Sequence, residues 1–147
     1  MHSAFDVAQY FLAQTSEDAG DLVSNLKLQK LVYYAQGFSL ALHGSPLFEE
    51  PIEAWLHGPV VPTLYQRYKS FGSGHIPHPE GFDLSCFSPP ERELLDEVYE
   101  FYGQYSAWRL RQLTHDEMPW KESFQSGSNQ VISQSLMTRF FRTQIAH

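Results

Sequence analysis

LKLQKLVYYAQGFSLALHGSPLFEEPIEAWLHGPVVPTLY, residues Leu26 to Tyr65, decides the fold, because its first half reads as a helix that is apolar on two opposite sides. With successive residues about 100° apart, Leu28, Leu31, Val32, Ala35, Phe38 and Leu42 form one broad stripe with the i, i+3, i+4, i+7 spacing of a core-facing helix. Leu26, Tyr33 and Leu40 fall nearly opposite, beside the small Gly37. Such a helix is either central and covered on both sides, or it keeps one apolar strip for a partner. Lys27 and Lys30 stand in its first turns, where the helix dipole disfavours positive charge by roughly 0.3 to 1 kcal/mol. Asp21, Glu49, Glu50 and Glu53 are the carboxylates available to compensate; otherwise both ammonium groups snorkel into water.

Working outward, Ser24 or Asn25 caps this helix, and Gly44 and Pro46 stop it near His43. Between Pro46 and His57 the apolar period shortens: Ile52, Ala54 and Leu56 alternate with Glu53, Trp55 and His57, which predicts a strand. Leu47 and Phe48 are expected to pair with it across Glu49 to Pro51 as a small hairpin or ribbon. Gly58 then turns the chain from strand to helix, with Pro59 and Pro62 in the helix's first turn and Val61, Leu64, Tyr65 and Tyr68 on one face. Upstream, Ser3 caps a helix carrying Ala4, Val7, Ala8, Phe11 and Leu12 that ends near Thr15, and residues 16–24 turn at Gly20.

Downstream, residues 70–88 are rich in Gly, Pro and Ser and read as a long loop, either a functional excursion or a flexible segment. Ser88, Pro89, Pro90 and Glu91 open a helix that buries Leu94, Leu95, Val98, Phe101 and Tyr102 and breaks near Gly103. Ser106 starts a shorter helix with Trp108, Leu110 and Leu113, and Pro119 starts a helical turn packed through Trp120 and Phe124. Ser126 to Asn129 form a loop, and Ser133 to about Thr143 form a last helix with Leu136, Met137, Phe140 and Phe141 on one side. The expectation is a single domain, residues 1–147, mainly α (α+β), built around a central helix with a small β element.

A net charge of -7 argues against a surface that tracks nucleic-acid phosphates; Arg109, Arg111, Arg139 and Arg142, on two helices, form either a local patch of positive charge or, more commonly for such a set, a solvated face. No apolar run reaches membrane-spanning length, no signal sequence opens the chain, and the one cysteine, Cys86, has no internal disulfide partner. A soluble, cytoplasmic protein is expected. Eight tyrosines and three tryptophans suit half-buried cores and protein interfaces equally.

Few residues have the spacing of catalysis. His75, His78 and Cys86 supply three metal-ligand types in a loop where a structural zinc site uses four, so no metal or other cofactor is expected. GxSxG, phosphate-loop and dinucleotide glycine spacings do not occur. His57 in WLHGP and His115 in THDEMPW each can meet Asp116 or Glu117 as an acid/base pair, or bond to a turn carbonyl.

KLQKLVYYAQG (Lys27 to Gly37), PLFEEPIEAWLHGPVVPTLY (Pro46 to Tyr65) and LTHDEMPW (Leu113 to Trp120) occur in this order. Together they closely resemble the Panacea domain, a family of small bacterial and phage-associated proteins whose members include antitoxins of toxin–antitoxin pairs. The resemblance covers about residues 5 to 124. Its motif positions are Lys27, Leu28, Lys30, Leu31, Tyr34, Trp55, His57, Gly58, Pro59, Pro62, Tyr65, Thr114, His115, Pro119 and Trp120. The resemblance implies a mainly helical domain that is not an enzyme and neutralises a toxin, encoded by a neighbouring gene, through direct complex formation.

Three surfaces are candidates for the partner: the Leu26, Tyr33, Leu40 strip; the loop from Ser70 to Ser88 with His75 and His78; and the last helix with Arg139 and Arg142. The alternatives are an adaptor that tethers a client to a second protein such as a protease, and a hydrolase around His57 and His115. A homo-oligomer stays open.

Overall fold

The computed structural model describes residues 1–15, 23–125 and 128–145; Gly20, Asp21 and part of the 126–129 loop lie outside them. Helices α1 (Ala4–Gln14) and α2 (Asn25–His43) are followed by strands β1 (Ile52–Trp55) and β2 (Gly58–Val60) and helix α3 (Pro62–Tyr68). Helices α4 (Pro89–Tyr102), α5 (Ala107–His115) and α6 (Met118–Ser123), strand β3 (Gln130–Ile132) and helix α7 (Gln134–Arg142) complete the chain. The fold is mainly α with a small antiparallel sheet in the order β2-β1-β3.

Local chemistry sets the helix starts. Ser3 and Ser88 form capping boxes with Asp6 and Glu91, and Ser24, Ser106 and Ser133 each accept a first-turn backbone N–H. Helix α2 ends on Gly44 in the left-handed region.

α2 is the central helix: α1, α3, α4, α5, α7 and β2 all pack on it. Tyr33 is 0% and Leu40 6% exposed, so the strip opposite the main stripe is covered by α7 and is not a free partner surface; Leu26 is half-buried. The close approach of α7 depends on Gly37. A Cβ there would run into the ring of Phe141, which also makes edge contacts with Tyr33, Tyr34 and Phe38. Leu42, expected on the buried stripe, is exposed because it lies in the last turn of α2, beyond these contacts. Phe101 is exposed for the same reason at the end of α4.

The sheet differs from the expected ribbon. β1 pairs with β2 through the two-residue turn Leu56–His57, with Trp55 opposite Gly58, and on its other edge with β3, Ile52 opposite Ile132. Leu47 and Phe48 do not join it. Gln36 of α2 accepts from Leu47 N–H at 2.8 Å and donates to Phe48 C=O at 2.9 Å, while the Leu47 carbonyl accepts from His2 N–H. Gly58 (φ 112°) closes the hairpin turn and Pro59 lies in the edge strand β2, where a missing N–H is tolerated; Pro62 alone starts α3. Leu56, expected on the inner face, sits in the turn and is exposed.

The loop at residues 70–88 is pinned at several points. His75 bridges Ser24, Ile76 N–H reaches Val23 C=O, Ile76 and Phe87 are buried, and Leu84–Cys86 form a 3-10 turn.

Gly37→Ala is expected to lower unfolding stability by about 1 to 3 kcal/mol by forcing Phe141 and α7 outward, read as a lower urea midpoint at unchanged slope. An unchanged midpoint contradicts the close crossing of α2 and α7.

Candidate functional site

Two adjacent tyrosines of α2 converge on one carboxylate. Tyr34 donates to Glu117 Oε2 at 2.8 Å and Tyr33 to Oε1 at 3.1 Å. Glu117 sits in the tight link between α5 and α6, its own N–H bonded to Thr114 C=O, with Pro119 in the first turn of α6. Tyr102 of α4 lies flat on Tyr34, ring centres 3.7 Å apart. Burial pushes the Glu117 carboxyl up to about 7, against the two tyrosine bonds that favour its charged form. Burial and the facing carboxylate hold both phenols far above their ordinary range. Among the described residues no lysine, arginine or histidine forms an ion pair with Glu117.

Glu117 opens on a groove of about 550 Å³ between α2, α4 and α5. Its walls include Phe38, Leu42, Val98, Phe101, Tyr102 and Leu113, and its charged lining is Glu97 and Glu117. Leu42 and Phe101, 49% and 55% exposed, stand at this groove. Apolar walls with a few acidic groups are suited to binding.

A second cluster lies where the β1–β2 turn meets α5. Lys30 is fully enclosed; its Nζ donates to Leu26 C=O at a long 3.4 Å. A Cβ at Gly58 would stand 2.6 Å from Lys30 Cε and 2.9 Å from Thr114 Oγ1, so only glycine lets the turn cover this side chain. Burial, then the nearby Arg111 charge, lowers the Lys30 ammonium to about 7. Of the expected carboxylate partners, Glu50 accepts from Ala4 N–H at the start of α1, Glu53 accepts from Trp55 Nε1, and Glu49 is exposed. Asp21 lies outside the described residues. Lys27 reaches the Gly103 carbonyl at 2.7 Å.

The remaining motif residues fasten this corner. His115 Nε2–H donates to Leu56 C=O at 2.9 Å, its ring stacks on Trp120, and Trp120 Nε1 donates to Trp55 C=O at 2.7 Å. Trp55 meets Tyr65 edge to face, and the Tyr65 carbonyl accepts from Asn25. His57 is exposed in the turn, and desolvation, then Arg111 and Lys30, keep its ring below the ordinary histidine value. The acid/base pairs considered from sequence do not form: Glu117 faces the tyrosines, and the one histidine–carboxylate ion pair among the described residues is His2–Glu91. His75, His78, Arg139 and Arg142 are exposed and are not among the residues lining the groove. Sequence reasoning weighed Glu117 only against histidine; the paired tyrosines of VYYAQ were its legible partners.

Because the folded Glu117 binds its proton up to about pH 7, against an ordinary value of 4.5, the folded state holds more protons than the unfolded one between these values. Stability therefore falls as pH rises across that window. Glu117→Gln is expected to remove this slope, on the order of a few kcal/mol in total, in urea titrations at successive pH values; an unchanged slope contradicts the site. Lys30 acts over a different window. Its folded value is depressed, so the unfolded state holds more protons between about 7 and 10.5 and stability rises with pH there. Lys30→Met is expected to stabilise the protein by about 1 to 4 kcal/mol near pH 7, with the gain shrinking toward pH 10. Destabilisation at pH 7 contradicts an uncompensated ammonium.

Residues 28–121, which carry Lys30, Tyr33, Tyr34, Tyr102, Glu117 and Trp120, match the family described as Antitoxin SocA-like, Panacea domain. The chain is 31% identical over 109 residues to Antitoxin SocA of Caulobacter vibrioides (strain NA1000 / CB15N), covering 67% of this chain and 58% of that protein. It thus spans somewhat more than half the length of this relative. No solved structure matches it significantly. The matched segment holds most of α2, the β1–β2 hairpin and the Glu117 link, and on this match the chain belongs to the Antitoxin SocA-like Panacea domain family.

Proposed function

We propose that this chain is a cytoplasmic antitoxin that neutralises a cognate toxin, encoded by a neighbouring gene, through direct complex formation and without catalysis. The match of residues 28–121 to an antitoxin family is the observation that carries this reading. A continuous core from α1 to α7 supports residues 1–147 acting as one binding module. The groove at Glu117 and the exposed Phe101 and Leu42 supply the apolar surface that a protein interface needs at its centre. No helix among the described residues is long and apolar enough to cross a membrane.

Co-expression tests the proposal. The product of the adjacent open reading frame is expected to arrest growth alone, and this chain is expected to restore growth and to co-purify with it. Arrest that persists with both genes expressed, or rescue without a complex, contradicts neutralisation by binding.

A further inference from the structure

The groove is chemically one-sided. Among the described residues its lining carries no charge apart from Glu97 and Glu117, and Glu117, whose two oxygens accept from Tyr33 and Tyr34, lines that space without an ion-paired cation. Each carboxylate oxygen takes one phenol proton and keeps capacity for a further donor. A buried carboxylate in apolar surroundings is held at a cost that an incoming cation removes, and a charge-assisted hydrogen bond in such a place is stronger than one in water. The two phenols fix the direction of the carboxylate in advance, so an incoming cation need not order it. The Tyr102 ring stacked on Tyr34 forms part of the groove wall and offers an aromatic surface to the same cation.

From this charge complementarity we propose that the groove between α2, α4 and α5 receives an apolar segment of the partner protein that carries one lysine or arginine, whose charged head pairs with Glu117 while Leu42, Phe101 and Tyr102 cover its apolar neighbours. The inference rests on the antitoxin reading for the identity of the partner, but not for the chemistry of the groove.

Two probes separate the two claims. The first is n-hexylammonium against its neutral counterpart 1-hexanol, followed by shifts of the Tyr34 and Tyr102 ring signals. The ammonium is expected to bind about tenfold more tightly than the alcohol, and Glu117→Gln is expected to erase the difference. Equal binding of both, binding of neither, or a preference that survives Glu117→Gln overturns the groove assignment whatever the toxin does.

The second probe is the adjacent gene product. Glu117→Gln, and separately Phe101→Ser and Leu42→Ser at exposed positions that spare the core, are expected to weaken the complex by about tenfold or more. A wild-type complex that every one of these variants leaves unchanged overturns the groove as the partner's seat and leaves the antitoxin reading intact. No wild-type complex, together with a normal ammonium preference, overturns the antitoxin reading and the identity of the occupant while the cation site stands.

Discussion

The core position of α2, with most of its residues from Asn25 to Leu40 buried, sets the places of the elements around it. The polar side chains buried along this helix cannot turn to water, so each needs a partner inside the protein. Those partners are the loops and turns around it. Gln29 accepts from Val61 N–H and donates to Asn25, Asn25 donates to the Tyr65 carbonyl, and Gln36 satisfies both Leu47 and Phe48. Ser39 reaches the Ser45 carbonyl. The polar groups of one helix thus fix where the chain enters the sheet and where α3 begins.

Two enclosed ionisable groups have only neutral hydrogen-bond partners, and their surroundings give them different roles. Lys30 is sealed beneath Gly58 and Thr114, where no ligand reaches it, and its effect falls on stability. Glu117 accepts from Tyr33 and Tyr34 and is among the residues that line the groove. The antitoxin family segment contains both, together with the Trp55, His115 and Trp120 contacts that lock α5 and α6 against the hairpin. The structure therefore couples a rigid corner to an apolar surface with one acidic group at its floor.

Much of the helical frame was legible because its signals are local. Serine caps at residues 3, 24, 88, 106 and 133, the Gly44 stop and the apolar period of residues 28–42 all act within a few positions of one another. The two apolar sides of α2 and the small Gly37 were also readable, but not the fact that Phe141, more than a hundred residues away, fills the second side. The β3 strand was hidden because it is three residues long, with two of them exposed. Leu47 and Phe48 looked like strand partners, yet Gln36 met their backbone groups first. Glu117 gave no short-range sign of its role, since the tyrosines that hold it lie 83 and 84 residues earlier.

A packed helix presents two phenols to a carboxylate that forms no ion pair among the described residues, and the side-chain carboxyl 13C shift of Glu117, followed against pH in the intact protein, reads this arrangement. A midpoint near 7 is expected, with the Tyr34 ring signal moving over the same range. A midpoint near the ordinary 4.5, with the tyrosine signals unmoved, would contradict it.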